Sequence, residues 1–231
     1  SNAFQKPYSA IEDVRLFWGI PESQLDNAPR RNSTSRLTSS SIVIVSESPE
    51  ENTPAVEILY RGEDVFSLVS NLADQILASG EIDPDIVVIG IADGGIALGN
   101  LLRRLLEKHS GHSLPYGTIE TSFHRDDIGR RPIPMEVQST EIPVNIDGRP
   151  ILLVDDVIAS GRTIRAAMNE LFDQGRPADI QLAILFDRGG RKLPVQPDFL
   201  AEKITVAPNR SLEVKVDEED PSRHQIELHP R

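Results

Sequence analysis

The stretch ILLVDDVIASGRT, Ile151 to Thr163, decides how this chain folds. Its first four residues form an uninterrupted apolar run, which is typical of a strand buried on both faces. Two acidic residues, Asp155 and Asp156, follow the run, and three small residues (159–161) come next. After Thr163, a helix is predicted by apolar residues that recur at helical spacing. These are Ile164, Ala167, Met168, Leu171 and Phe172.

A strand, a small-residue turn and a helix in this order predict a ligand site. Ligands of open α/β sheets bind beyond the carboxyl ends of the strands, where a helix N-terminus offers N–H groups to a phosphate. Ionised carboxylates repel phosphate, so Asp155 and Asp156 must serve hydroxyl donors or Mg²⁺. A sugar phosphate with a free diol has both kinds of group. The alternative for the acidic pair is a solvated turn with a helix cap.

Two other phosphate-binding motifs are excluded by spacing. The chain has no G-x-x-x-x-G-K-[ST] sequence, and GIADGG (90–95) lacks the G-x-G-x-x-G pattern. A Walker-type nucleotidase and a dinucleotide-binding dehydrogenase are therefore disfavoured.

Strand and helix patterns alternate along the middle of the chain. Strands are predicted at DIVVIGI (85–91), near GTIETSF (117–123), at PILLV (150–154) and at DIQLAILF (179–186). Helices are predicted at IALGNLLRRLLEK (96–108) and TIRAAMNELFDQG (163–175), and a first helix is predicted to begin at Asp64 and end near Gly80. This alternation predicts an α/β fold, with a parallel sheet flanked by helices. The first helix is indicated by Phe66, Val69, Leu72, Ala73, Ile76 and Leu77.

The two ends of the chain differ from its middle. Residues 22–55 are polar apart from a short apolar run at 42–45, so residues 1–55 are predicted to be a partly flexible extension and 56–231 the domain. Ser1, Asn2 and Ala3 are interpreted as a cloning remnant. The segments KITVA (203–207), LEVKV (212–216) and QIEL (225–228) predict a small C-terminal β appendage.

Composition narrows the classes of function. The formal net charge of -12 disfavours non-specific binding to nucleic acid. With no cysteine, any metal must be held by oxygen or imidazole, and the five histidines show no metal-binding spacing, so a zinc site is not expected. No apolar run approaches the ~20 residues of a membrane span, which predicts a soluble, cytoplasmic protein without membrane partners.

The segment VDDVIASGRT (154–163) resembles the phosphoribosyl-diphosphate (PRPP) signature of type I phosphoribosyltransferases. HRDDIGRRP (124–132) and the segment 176–204 are similar to the pyrimidine operon regulatory proteins that are also uracil phosphoribosyltransferases. The resemblance covers about residues 58–205. It implies the type I phosphoribosyltransferase fold with a mobile hood loop, Mg²⁺ as cofactor, PRPP and a pyrimidine base as partners, and a homodimer or higher homo-oligomer.

Roles for individual residues follow from the resemblance. Asp155 and Asp156 would lie at the ribose hydroxyls of PRPP as catalytic residues, with Mg²⁺ held near them directly or through PRPP and water. The 5'-phosphate would be bound by Val157, Ile158, Ala159, Ser160, Gly161, Arg162 and Thr163.

A second loop of the resemblance, Ala92, Asp93, Gly94 and Gly95, would contact the diphosphate. Its two glycines permit unusual backbone angles, and the alternative is that they only form a tight strand-to-helix turn. The chain departs from the family here, because the family usually has Thr-Arg-Gly in place of Asp93-Gly94-Gly95. A cation near the leaving diphosphate is thereby missing and an acid is added.

The polar stretch from His124 to Ile142 matches the hood loop, which closes over the site and excludes water. Within it, Arg125 is the candidate for a catalytic cation at the diphosphate. The alternative is an exposed arginine that pairs with Asp126 or Asp127.

Asp187, Arg188 and Gly189 match the region that lines the base pocket. Arg188 could instead pair with Asp187. Purine-salvage relatives place a carboxylate four residues after the first acid, where this chain has Ala159, so the base is predicted to be a pyrimidine.

The implied reaction joins uracil to PRPP, giving UMP and diphosphate through an oxocarbenium-like state stabilised by Mg²⁺ and positioned charge. Three alternatives stand beside it: transfer to another base, a nucleotide sensor with little turnover, and an RNA-binding transcription attenuation regulator that responds to UMP or UTP. RNA binding would need a basic surface, whereas a solvated face is the other interpretation of the same arginines. The arginines considered are Arg103, Arg104, Arg162, Arg165 and Arg176.

Overall fold

A computed structural model describes residues 42–44, 56–80, 82–92, 94–121 and 139–230. Asp93, Arg125 and most of the predicted hood loop lie outside these residues. Across the described ranges, none of the helices is both long and apolar enough to cross a bilayer.

The main sheet has six parallel strands, as the alternating pattern predicted. A strand is present at each of the four places predicted for the middle of the chain, and the apolar runs of the strands at 87–91, 150–158 and 179–187 are buried on both faces. The strands are β1 (Ile42–Ile44), β3 (Val87–Ile91), β4 (Tyr116–Ile119), β5 (Pro150–Ile158), β6 (Asp179–Asp187) and β7 (Phe199–Thr205). Their order across the sheet is β1-β7-β6-β5-β3-β4.

Among the residues that the structure describes, three helices cover the two faces of this sheet: α1 (Glu63–Ser79), α2 (Gly94–Ser110) and α3 (Arg162–Gln174). The apolar stripes of α1 and α2 pack on one face with alternate strand residues such as Val88. The stripe of α3 packs on the other face with the intervening residues, such as Ile89. Period-two alternation thus gives each face its own hydrophobic core.

The predicted stripe of α3 is wrong at one position. Ile164, Ala167 and Leu171 are buried and Met168 packs against them, but Phe172 is 44% exposed. One residue is about 100° of helical rotation, which carries Phe172 past the edge of the buried face. Its ring lies 5.9 Å from the guanidinium carbon of Arg176 instead.

A second, antiparallel sheet confirms the small β appendage, but its strands differ from those predicted. It consists of β2 (Glu57–Arg61), β8 (Arg210–Lys215) and β9 (Gln225–Pro230), in the order β2-β9-β8, with a 3-10 turn at Pro221–Arg223. The KITVA segment does not belong to it, because residues 203–205 lie in β7 of the main sheet. β6 is therefore not the last strand of the main sheet.

The polar segment 22–55, predicted as an extension, contributes a strand. The backbone of Ile42–Ile44 pairs in parallel with Lys203–Thr205 of β7. Parallel pairing with a distant strand leaves no pattern in a three-residue run, which explains why the sequence did not predict it.

Candidate functional site

The candidate site lies at the carboxyl edge of the main sheet, between β3 and β5. The chain leaves β3 through α2 towards β4 on one side, and it leaves β5 through α3 towards β6 on the other. Such a switch point opens a crevice beyond the strand ends, which is where α/β folds bind ligands. The loops predicted to bind PRPP, at 92–95 and 155–163, both begin at this edge.

The two acids lie on β5 itself and not after its end, as the sequence had suggested. Asp155 pairs with Ile184 of β6, and that pairing continues to Ile158. On the other side, the last partner of β5 along β3 is Gly90, opposite Val154. The pairing of β3 with β5 ends there, and the first turn of α2 fills the space beside Asp155 and Asp156.

The carboxylates are held by the local backbone. Asp155 is 4% exposed, and its Oδ1 accepts a hydrogen bond from the backbone N–H of Asp156 at 3.0 Å. Asp156 accepts one from the backbone N–H of Val157 at 2.7 Å. Both side chains therefore have restricted directions before any ligand binds, which lowers the entropy lost on binding.

Gly94 and Gly95 are required for space and not for unusual backbone angles. Neither has a positive φ, so that interpretation of the glycine pair is wrong. A Cβ added to Gly95 would lie 2.5 Å from the carbonyl oxygen of Val154, and one added to Gly94 would overlap the carboxylate of Asp156. The two predicted PRPP loops are thus in direct contact.

The predicted 5'-phosphate loop turns tightly into α3. Gly161 adopts the left-handed region at φ +86° directly before the helix, a conformation that favours glycine. The hydroxyl oxygen of Ser160 accepts a hydrogen bond from the backbone N–H of Arg162 at 3.3 Å. The turn therefore presents backbone and hydroxyl groups at the N-terminus of a helix, the arrangement that suits an anion.

Arg191 stabilises this loop through hydrogen bonds to its backbone, a role that was not predicted from the sequence. Its guanidinium donates to the carbonyl oxygen of Ala159 at 2.8 Å and to that of Val195 at 2.9 Å. It also donates to both carboxylate oxygens of Asp187, at 3.0 and 2.9 Å. One side chain thus joins the 5'-phosphate loop to the end of β6. An acid and an arginine four residues apart after a strand would have been the signal in the sequence.

The predicted base-pocket residues follow β6 at the same edge. The carboxylate of Asp187 accepts from the backbone N–H of Gly189 at 2.8 Å, and the backbone N–H of Arg188 donates to the carbonyl of Ile158 at 3.1 Å. The ion-pair partner of Asp187 is Arg191, not Arg188 as the alternative had it. The role of these residues in base binding stays a prediction.

Two buried polar residues at this edge were also missed. Glu120 and Thr121 directly follow β4 and are 9% and 1% exposed. The backbone N–H of Glu120 donates to the hydroxyl of Thr140 at 3.2 Å. An acid placed directly after a strand was the available signal, but the predicted strand ran through both residues.

The arginines considered for RNA binding do not form one surface. Arg103 and Arg104 lie on α2, and the Arg104 guanidinium donates to the carbonyl of Glu218, between β8 and β9. The remaining three lie on or just after α3, across the sheet from α2. These five arginines therefore do not supply the single basic surface that RNA binding would need from one chain, and a solvated face stays the other interpretation.

Within the described part of the chain, the fold gathers a histidine-containing cluster that the sequence spacing did not suggest. Nε2 of His229 lies 2.7 Å from a carboxylate oxygen of Glu213 and 2.8 Å from one of Glu227. These three could hold a metal ion. However, the ammonium of Lys215 lies 2.9 Å from the same Glu227 oxygen, so a cation of the chain already compensates the carboxylates. We assign this cluster to charge pairing between β8 and β9.

Comparison with known proteins adds sequence relatives. The sequence model of the phosphoribosyl transferase domain matches residues 55–217. A protein named Bifunctional protein PyrR from Ralstonia nicotianae is 42% identical over 156 residues, which cover 68% of this chain and 86% of that protein. The protein of the same name from Streptomyces coelicolor is 37% identical over 172 residues, covering 74% and 86%.

Solved structures agree on the fold. The hypoxanthine phosphoribosyltransferase of Trypanosoma cruzi superposes with a TM-score of 0.52 at 20% identity, covering 76% of this chain and 97% of that one. A hypoxanthine-guanine phosphoribosyltransferase from Bacillus anthracis gives a TM-score of 0.50 at 24% identity, covering 64% and 83%. These likenesses concern the fold alone, and they confirm the type I phosphoribosyltransferase fold predicted from the sequence.

Proposed function

Because the chain belongs to the phosphoribosyl transferase domain family, we propose that it transfers the phosphoribosyl group of PRPP to uracil, giving UMP and diphosphate. One observation carries this proposal: the acidic pair Asp155–Asp156 lies between the first turn of α2 and the turn into α3. A ligand at this point meets carboxylates in the middle and a helix N-terminus on each side.

PRPP has the complementary pattern of groups. Its ribose hydroxyls are donors for the carboxylates of Asp155 and Asp156, and its 5'-phosphate suits the N-terminus of α3 at 159–163. Its diphosphate suits the N-terminus of α2 at Gly94 and Gly95.

The donor set at the acidic pair fits Mg²⁺, because both side chains are carboxylates and Mg²⁺ takes oxygen ligands. Asp155 and Asp156 would hold the ion, directly or through PRPP and water. When bound, the ion would neutralise charge on the departing diphosphate.

The chain's own residues supply orientation and charge, not a covalent nucleophile. Carboxylates next to the ribose favour the positive charge that develops on the sugar as diphosphate leaves. The packing of the two loops against each other keeps that charge at a fixed distance. The hood loop, with Arg125 as the proposed cation, would exclude water from the reactive sugar.

Uracil is proposed as the base because Ala159 offers no proton donor or acceptor to a purine ring. The name of the PyrR relatives agrees with pyrimidine chemistry. Transfer to another base is the alternative that the assay below distinguishes.

The word bifunctional in the name of the relatives suggests a second activity. The observation that favours RNA as its partner is local: Arg162, Arg165 and Arg176 are exposed on or next to α3. A salt-dependent mobility shift with a pyrimidine-gene leader RNA, lost when these three are changed to glutamine, would support it. Binding of UMP without turnover would instead support the nucleotide-sensor alternative.

The experiment that tests the proposed function is an assay of diphosphate release from PRPP and Mg²⁺, with uracil, hypoxanthine, guanine or orotate as the base. Asp155→Asn and Asp156→Asn are the diagnostic variants. Asp179→Asn is the matched control, because Asp179 is an exposed acid at the start of β6, at the opposite edge of the sheet.

We expect turnover with uracil that falls by about 100-fold or more in Asp155→Asn and Asp156→Asn, as when an enzyme loses a group that stabilises transition-state charge. Asp179→Asn should keep the activity of the unmodified protein. Turnover with a purine and not with uracil would contradict the assigned base. No turnover with any base would contradict the enzymatic proposal.

A further inference from the structure

The side chain of Tyr116, the first residue of β4, extends over Gly90 of the neighbouring strand β3 to α2. It passes between two glycines, Gly90 on β3 and Gly99 on α2. A Cβ added to Gly90 would lie 2.6 Å from the Tyr116 hydroxyl oxygen, and one added to Gly99 would lie 3.3 Å from the same oxygen and from the ring. The two glycines thus leave a slot that the tyrosine fills.

The hydroxyl at the end of this slot donates a hydrogen bond to the carbonyl oxygen of Ile96. Ile96 is the third residue of α2, directly after Gly94 and Gly95. The same added Cβ of Gly90 would lie 2.6 Å from the carbonyl oxygen of Gly95. β3, the tyrosine hydroxyl and the first turn of α2 therefore meet at one point.

The surroundings keep the hydroxyl a donor. Burial, followed by the negative charge of Glu218, raises the pKa of Tyr116 well above its usual value of 10.0. The guanidinium of Arg103 lies over the ring at 5.8 Å from its centroid, and that guanidinium is itself hydrogen-bonded to Asn100 and Glu107. The Tyr116 ring is therefore held at its hydroxyl by the Ile96 carbonyl and on its face by Arg103.

We propose that Tyr116 is a positioning residue for diphosphate binding: its bond to the Ile96 carbonyl fixes the first turn of α2, and with it the backbone at Gly94 and Gly95. This inference rests on the proposed function, in which those two glycines face the diphosphate of PRPP. The family's usual arginine is absent from this loop, so the backbone of α2 has a larger share in binding the diphosphate. The direction of the α2 backbone then has a larger effect on the affinity for diphosphate.

A positioning role and a merely structural role differ in which ligands they affect. Diphosphate and PRPP would contact the first turn of α2, whereas UMP would contact the acids, the turn into α3 and the predicted base pocket. Loss of the Tyr116 hydroxyl should therefore weaken diphosphate and PRPP without weakening UMP. A general loss of stability would affect all three.

The test compares Tyr116→Phe with the unmodified protein by calorimetric titration of diphosphate, PRPP and UMP, each with Mg²⁺. Tyr60→Phe is the matched control. Tyr60 is also a partly buried tyrosine whose pKa burial raises, but its hydroxyl bonds to Glu202 on β7, at 2.9 and 3.1 Å. Both variants keep the ring and remove one hydroxyl.

We expect Tyr116→Phe to bind diphosphate and PRPP about 3- to 10-fold more weakly, the effect of one lost hydrogen bond, and to raise the KM for PRPP by the same factor. UMP affinity should stay within about twofold, and Tyr60→Phe should bind all three ligands as the unmodified protein does. Unchanged diphosphate affinity, or an equal loss for UMP, would overturn the inference and leave the proposed function intact. If the unmodified protein binds neither diphosphate nor PRPP, the proposed function itself fails.

Discussion

Gly94 and Asp156 approach so closely that a side chain on the first would overlap the second. A Cβ added to Gly94 would lie 2.1 Å from Oδ2 and 2.5 Å from Cγ of Asp156. The departure of this chain from the family's usual Thr-Arg-Gly thus has a steric consequence: glycine at position 94 lets the second acid lie against the start of α2. The identity of residue 94 and the position of Asp156 are coupled.

Gly94→Ala is expected to displace the Asp156 carboxylate, because the three atoms nearest to the new Cβ all belong to that side chain. We predict at least a ~10-fold lower kcat/KM for PRPP and a loss of about 1–3 kcal/mol in the free energy of unfolding, the range for overpacked sites. Steady-state kinetics and urea titration measure the two effects.

A double-mutant cycle provides the control for Gly94→Ala. In an Asp156→Ala background the overlapping carboxylate is gone, so adding Gly94→Ala should change the free energy of unfolding by less than about 1 kcal/mol. If the two substitutions are additive, the stability loss does not arise from the contact between residues 94 and 156.

Arg191→Gln should weaken the 5'-phosphate site. The substitution removes the bonds to the carbonyl of Ala159 and to the carboxylate of Asp187, and it leaves a largely buried carboxylate without its cation. Breaking such a pair typically costs about 3–5 kcal/mol when it is buried. We expect a loss at the lower end of that range and at least ~10-fold weaker UMP binding, measured by urea titration and calorimetry.

Lys192→Gln is the control for Arg191→Gln, because Lys192 is the exposed neighbour and its backbone N–H, which the substitution keeps, donates to the Ser160 carbonyl at 2.9 Å. The UMP affinity of Lys192→Gln should stay within about twofold of the unmodified protein, and its free energy of unfolding within about 0.5 kcal/mol. Equal effects of the two substitutions would mean that net charge, not the bonds of Arg191, sets UMP affinity.

The parallel sheet and the PRPP loops could be predicted because their signals are local. Buried strands such as Val87–Ile91 are short apolar runs between turn residues, and the acidic pair and small-residue turn follow one strand directly. The contact between Gly94 and Asp156 could not be predicted, since it depends on how two strands distant in sequence align. The same is true of the bonds made by Arg191 and Tyr116.

Strand partners were the other part that the sequence could not provide. Residues 203–205 and 212–215 have similar β patterns, yet the first lies in the parallel sheet and the second in the antiparallel one. Partner choice depends on the surfaces that meet after folding, and β propensity carries little information about it. The extent of β5 through Asp156 was missed for a related reason, because acids are depleted in strands and were interpreted as the start of a turn.

The error at Phe172 gives a direct test of the packing of α3. Leu171 is fully buried and Phe172 is 44% exposed. Leu171→Ala should lower the free energy of unfolding by about 2–5 kcal/mol, whereas Phe172→Ala should lower it by less than about 1 kcal/mol despite the larger side chain. Thermal and urea unfolding measure both. A larger loss for Phe172→Ala would place the apolar face of α3 where the sequence had first suggested.

His224 should make stability depend on pH. It is fully buried, its Nδ1 accepts from the backbone N–H of Asp217 at 3.1 Å, and its Nε2 has no partner among the described residues. Burial lowers its pKa below the usual 6.5, against the opposing charges of Asp217 and Asp220. The unfolded chain then binds a proton before the folded chain does. Stability from this group is therefore complete above about pH 6.5 and falls as the pH drops below it.

Urea unfolding at pH 8.0 and pH 5.5 measures this effect, with His224→Gln and His112→Gln compared with the unmodified protein. His112 is exposed, so its loss should leave the pH dependence unchanged. His224→Gln should reduce the fall in stability between the two pH values, because glutamine cannot take up the proton. An undiminished fall in His224→Gln would contradict this prediction and assign the acid sensitivity to other groups.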